Sequence, residues 1–99
     1  MSMKFDSKFD WKIYSWLKRG SRRIKILKYL YNTTEPASAT QIKKIQKIDI
    51  TQSAFTLNEL WTAKLANCLN PKDHHGKLFI ITKKGKDMIK KLKASKFIK

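Results

Sequence analysis

Apolar residues recur along the chain with a period near 3.6, switch to a period near 2, and return to 3.6 at the end. Phe9, Ile13, Trp16 and Leu17 fall on one helical stripe, with Trp11 and Tyr14 off it. Ser7 is placed to cap this first helix of about ten residues, with Asp10 at the capping-box position. Gly20 ends it and Ser21 opens the next. The second helix, over about 22–32, puts Ile24, Leu27, Leu30 and Tyr31 on a core face. Ile26 and Tyr29 lie elsewhere around it, which predicts neighbours on more than one side. The segment Asn32-Thr33-Thr34-Glu35-Pro36 is a turn.

Ser38-Ala39-Thr40-Gln41 reads as a capping box opening a short third helix, with Ile42 and Ile45 at buried spacing and Ile48 just beyond. A second box, Asp49-Ile50-Thr51-Gln52, follows at once and starts a longer helix. On it Ile50, Ser53, Leu57, Leu60 and Trp61 share one face. Two helices joined by so tight a turn form a helix-turn-helix. After Leu65 the period changes: Ala66–Leu69 and Lys77–Ile81 read as strands around a loop punctuated by Pro71 and Gly76. Thr82 then caps a final helix with Met88, Ile89 and Leu92 inward and lysines at 83, 84, 86, 90, 91 and 93 outward. The expected fold is mainly α with a small β-hairpin: a winged helix-turn-helix with an additional N-terminal helix.

Composition sharpens this picture. The chain has 99 residues, 41% of them hydrophobic, which is enough for one core. No apolar run is long enough to span a bilayer and no signal-peptide pattern is present, so a cytoplasmic, chromosome-associated protein is expected. Cys68 is the single cysteine, excluding an internal disulfide; beside Ala66 and Leu69 it reads as a small buried strand residue. The 23 Lys and Arg against seven acids give a net charge of +16, a surface that attracts polyanions. The charge is uneven: +6 over residues 1–35, +2 over 36–67 and +8 over 68–99. A lysine-rich proteome explains twenty Lys among the cations, but not the shortage of acids.

Several segments resemble winged-helix transcription regulators of an archaeal kind, related to the ArsR and MarR families. The likeness rests on Arg23-Ile24-x-x-Leu27-x-x-Leu30, Ser38-x-x-Gln41-Ile42, Leu57-x-x-Leu60-x-x-x-x-Leu65, Cys68-Leu69-Asn70-Pro71, and Gly76-Lys77-Leu78-Phe79-x-x-Thr82-x-x-Gly85-Lys86. It spans residues about 22–92. The resemblance implies a recognition helix over about 50–64 in the major groove and a wing over about 66–81 on the sugar-phosphate backbone. Three positions depart from the pattern: Lys64 stands where a glycine often precedes the first wing strand, Ser53 where a valine is usual, and Phe55 where a basic residue is common.

With Ile50, Leu57 and Leu60 inward, the opposite face of the recognition helix carries Thr51, Gln52, Phe55, Thr56, Asn58 and Glu59. Gln and Asn bond bidentately to adenine, and Thr or Phe meets a thymine methyl. Thr51, Gln52, Phe55, Thr56 and Asn58 are therefore the expected base contacts; the bland alternative is a solvated helix face. Lys43, Lys44, Lys47, Lys72, His74, His75 and Lys77 are the expected phosphate contacts. Base readers without charge, flanked by cations, fit the division between specifying and positioning contacts. The N-terminal aromatics Phe5, Phe9, Trp11, Tyr14 and Trp16 exceed what a minimal winged helix needs. They predict a homodimer through the N- and C-terminal helices, with residues 1–19 as the dimerisation element and 20–99 as the DNA-binding domain. The alternative is that this helix folds onto its own core against Ile26 and Tyr29.

Other chemistry finds little footing. His74 and His75 are adjacent in a turn and diverge, and one distant cysteine does not complete a zinc set, so no metal is expected. No nucleophile-base pair or phosphate-cradling glycine loop is present, so the chain is read as a non-enzyme without cofactor or evident small-molecule effector. The rival readings are a chromatin protein that coats DNA without sequence preference and a winged-helix protein-interaction module. RNA binding lacks its paired strand aromatics, and membrane-surface binding competes with the core for the same apolar residues.

Overall fold

The computed structural model describes residues 9–99 as α1 (Trp11–Lys18), α2 (Ser21–Asn32), α3 (Ala39–Gln46), α4 (Ile50–Thr62), β1 (Ala66–Cys68), β2 (Phe79–Ile81) and α5 (Lys83–Ala94). Ser7 and Phe5 lie outside the described residues. The N-cap of α1 is Asp10, whose carboxylate accepts the Ile13 N–H (3.0 Å), so the helix starts later than the Ser7 reading placed it. The Ser38–Gln41 capping box on α3 forms with both of its bonds. Asp49 caps α4 through the Thr51 N–H (3.0 Å), one residue earlier than a capping box does, and Gln52 stays exposed.

Three helices end on lysines in the left-handed region, where glycine is the usual choice. Lys47 (φ 60°) closes α3, Lys64 (φ 66°) follows α4 and Lys96 (φ 63°) follows α5. Behind α4, Leu65 N–H bonds to Leu60 O and Lys64 N–H to Trp61 O, both 2.9 Å, which is the Schellman pattern. The departure noted at Lys64 thus falls on a position whose backbone favours glycine.

The core gathers Tyr14 and Leu17 of α1, Ile24, Ile26, Leu27 and Leu30 of α2, Ile42 of α3, Leu57 and Leu60 of α4, and Met88, Ile89 and Leu92 of α5. Phe79, Leu65 and buried Cys68 close it from the hairpin side. Helix α2 is central, touching α1, α4, α5 and β2, and Ile26 is fully buried on the side that the main stripe leaves open. Three expectations of periodicity fail. Tyr14, off the stripe, is buried because its hydroxyl bonds Ser95 Oγ (3.1 Å) beyond α5 and its ring meets Phe9 and Trp11 edge-on. Ile45 and Ile50, expected inside, are 54% and 40% exposed. Helix α3 packs chiefly on α4, and a single partner covers less than the stripe the sequence offers.

The hairpin is antiparallel, pairing Ala66 with Ile81, Asn67 with Ile80 and Cys68 with Phe79. Ala37 adds an isolated bridge to Phe79, tying the α2–α3 connection to the wing's base. At the far side, Thr82 locks α5 to the end of α4: its N–H donates to Leu65 O (3.0 Å) and its hydroxyl to Lys64 O (2.7 Å). The same hydroxyl accepts the Gly85 N–H (3.0 Å). Gly85 packs directly over the Leu65 carbonyl, so close that a side chain has no room. Among the described residues no helix is long and apolar enough to cross a membrane.

Candidate nucleic-acid interface

Helix α4 turns Ser53, Thr56, Leu57 and Leu60 inward. Of the residues expected to read bases, Thr51, Gln52, Phe55 and Asn58 are exposed, Phe55 at 61%. Thr56 is not: it is fully buried, and among the described residues its hydroxyl finds no hydrogen-bond partner. The error follows from Ile50. With Ile50 partly outside, the buried arc of α4 is rotated and takes in Thr56, one residue before Leu57. Ser53 is buried beside it, its hydroxyl donating to Ile48 O (3.2 Å) across the α3–α4 turn. A serine is tolerated at this apolar position because that carbonyl is within reach. Glu59, on the outer arc, is drawn aside into an ion pair with Arg23 (3.7 Å).

Between α4 and the hairpin loop runs a groove of about 360 Å³. Ile50, Ala54 and Asn58 line it from α4; His74, His75 and Lys77 line it from the loop, and the start of α3 closes one end. The structure thus brings three of the expected phosphate-contacting residues alongside one expected base reader. Lys72 is exposed but does not line this groove. Lys77 is half-buried, its ammonium 5.7 Å from the centre of the Trp61 ring, so part of its charge is directed back onto the protein. Lys43, Lys44 and Lys47 gather elsewhere, around a shallow depression at the α3–α4 turn shared with Asp49.

The loop owes its shape to Asn70, which the sequence offers as part of the turn and of the Cys68–Pro71 motif but with no role of its own. The Asn70 carboxamide accepts the Leu78 N–H (2.7 Å) and donates to Asp73 Oδ2 (2.8 Å) and Gly76 O (3.2 Å). One side chain therefore spans the loop and holds His74 and His75 at its outer end. The signal was present as Asn-Pro before a glycine, since Asn side chains bond nearby backbone in turns. Gly76 sits at φ 67°, the conformation that the return of this loop requires.

Among the described residues Asp10 is the group whose acidity is displaced. The Ile13 N–H, and next the Lys84 ammonium at 3.0 Å, hold its carboxyl below the ordinary carboxylate range. This pair ties the start of α1 to α5 and lies away from the α4 groove. Among the described residues no three His, Cys, Asp or Glu side chains come together as metal ligands do.

The helix order, the antiparallel hairpin and the exposed second helix of a helix-turn-helix define a winged helix. No protein-family profile and no curated protein matches the sequence. Solved structures do. A MarR/EmrR family transcriptional regulator from Acinetobacter sp. ADP1 superposes with a TM-score of 0.67 at 15% identity, over 88% of this chain and 64% of that one. Wild-type MarR from E. coli, in its apo form, gives 0.62 at 18% identity, over 93% and 78%. The chain thus spans under two thirds of the length of the first of these. The fold is that of MarR-like winged-helix regulators. The ArsR side of the sequence resemblance gains no support from these neighbours, nor does an archaeal affiliation.

Proposed function

We propose that this protein is a double-stranded DNA-binding transcription regulator that inserts α4 into the major groove and lays the hairpin on the backbone. One observation carries the reading. Helix α4 exposes Thr51, Gln52, Phe55 and Asn58 with its one carboxylate drawn aside, between cations of the hairpin and of α3, on a chain of net charge +16. Neutral donors and acceptors on the helix read base edges; Lys43, Lys44, Lys47, Lys72, His74, His75 and Lys77 meet phosphates. The likeness to MarR regulators supports this use of the fold. The protein acts without catalysis, in the cytoplasm and on the chromosome.

The working form is a homodimer built on the N-terminal segment, residues 1–19, which holds α1, and on the C-terminal helix, with 20–99 as the DNA-binding domain. Lys18 lies 5.2 Å from both the Tyr14 and Phe97 rings, so α1 and the segment after α5 are neighbours, and Trp11 and Phe97 remain 42% and 48% exposed there. Two copies then present two α4 helices to half-sites about 10 base pairs apart. Sedimentation showing a monomer at tens of micromolar refutes the dimer.

Selection of duplex fragments from a random library near 150 mM salt tests the main reading. Enrichment of an inverted repeat is expected, with Gln52→Ala relaxing one position. Retention of every duplex without enrichment would make it a chromatin protein instead. Retention of none would leave the basic surface to another partner.

A further inference from the structure

Resting on the DNA-binding reading above, the flank of α4 opposite the hairpin bears on how the chain meets a duplex. A cavity of about 310 Å³ opens at the start of α2, lined by Arg19, Ser21, Arg22 and Arg23 and by Thr56 and Glu59 of α4. Helix α2 is twelve residues long, and its N-cap is Gly20, which offers no side-chain cap. The N–H groups of Ser21, Arg22 and Arg23 are therefore presented uncapped, at the positive end of the helix dipole.

Two further observations point to a ligand. Thr56 is the fully buried residue lining the cavity, and among the described residues its hydroxyl has no hydrogen-bond partner, a costly state for a buried polar atom. Moreover, the chain has only three arginines among 23 cations, and all three line this cavity. In a sequence that otherwise uses lysine, the guanidinium fork is kept at one place, and that fork matches phosphate bidentately. Arg23 is already committed: it donates to Trp16 O (2.6 Å), stacks on the Trp16 ring (4.1 Å) and neutralises Glu59 (3.7 Å). Arg22 is exposed, and among the described residues Arg19 donates only to Ser15 Oγ (3.1 Å).

We infer that the start of α2, with Arg19, Arg22 and the Thr56 hydroxyl, is a phosphate oxyanion site that takes a backbone phosphate of the bound duplex. A helix with its side chains is about as wide as the major groove, so a row of phosphates runs along each flank. The hairpin meets one row, and the α2 start meets the other across the Phe55–Glu59 edge of α4.

The test uses the full chain with the selected duplex, titrated across salt, and inorganic phosphate followed at backbone amides by NMR. Losing one phosphate contact flattens the slope of log K against log salt by about 0.9, or about fivefold in affinity near 150 mM salt. Arg22→Gln shows that loss, whereas Arg22→Lys keeps the slope. Thr56→Val, nearly isosteric, weakens duplex binding roughly tenfold with the slope unchanged, the share of a hydrogen bond to a charged acceptor. The same variant melts higher, because the orphaned hydroxyl is gone; a purely structural Thr56 would not combine firmer folding with weaker binding. Duplex binding by Arg22→Gln and Thr56→Val with wild-type affinity and slope overturns the site while leaving DNA binding intact. If no duplex binds, the DNA reading fails separately. Saturable shifts of the Ser21, Arg22 and Arg23 amides with inorganic phosphate then assign the site to a free oxyanion, and their absence overturns it.

Discussion

Replacing Gly85 with alanine sets two physical effects against each other. On helix propensity alone, alanine exceeds glycine by about 1 kcal/mol. In the folded chain, however, an alanine Cβ at this position lies 2.7 Å from Ile81 Cγ1 and closer still to the Leu65 carbonyl oxygen. Carbon atoms pack at about 3.5–4.0 Å, so α5 has to retreat by about 1 Å. The obstacle is backbone, which does not swing aside. Overpacking of this kind costs about 1–3 kcal/mol. The retreat also stretches the bonds from Thr82 to Leu65 O and Lys64 O, each contributing about 1 kcal/mol. The balance is a loss of about 2–4 kcal/mol. For a domain of this size that lowers Tm by about 10–25 °C. Thermal and urea unfolding followed by circular dichroism measure it. A Gly85→Ala chain as stable as the parent, or more stable, would refute the claim that α5 is docked directly on the end of α4.

Three other outcomes are expected. Lys64→Gly relieves a left-handed lysine and stabilises the chain by about 0.5–1 kcal/mol after the greater unfolded-state freedom of glycine is discounted, read as a shift of the urea midpoint. Asn70→Ala removes three bonds from the hairpin loop, so the Leu78 amide exchanges faster with solvent and duplex affinity falls, while the core melts nearly as before; unchanged Leu78 protection contradicts the role given to Asn70. Because the Asp10 carboxyl is held below its ordinary value of 3.8, its contribution to stability is complete above that pH and is lost as pH falls through the folded-state value. Asp10→Asn keeps a good N-cap but not the charge, so its urea midpoint declines less steeply on acidification below about pH 4.

Local signals in the sequence determined the elements and their order. The Ser38–Gln41 box, the Asp49 and Thr82 caps, the Gly20 break and the change of period after Leu65 each act within a few residues, and each has its counterpart in the structure. Net charge was likewise fixed before folding. What periodicity did not fix was which arc of each helix faces inward, since that depends on the angle and length over which a neighbour covers it. Hence Ile45 and Ile50 emerged, while Tyr14 and Thr56 were buried. The exposed stripe Thr51, Gln52, Phe55 and Asn58 was legible because polar residues gather there. The arginine cavity was not, because Arg19, Arg22 and Arg23 meet Thr56 only when α2 packs across α4, more than thirty residues away in the chain. Lys64 and Gly85 divide along the same line. The departure from glycine at Lys64 was visible in the sequence, but the need for glycine at Gly85 arises only from the Leu65 carbonyl that the tertiary fold brings beneath it.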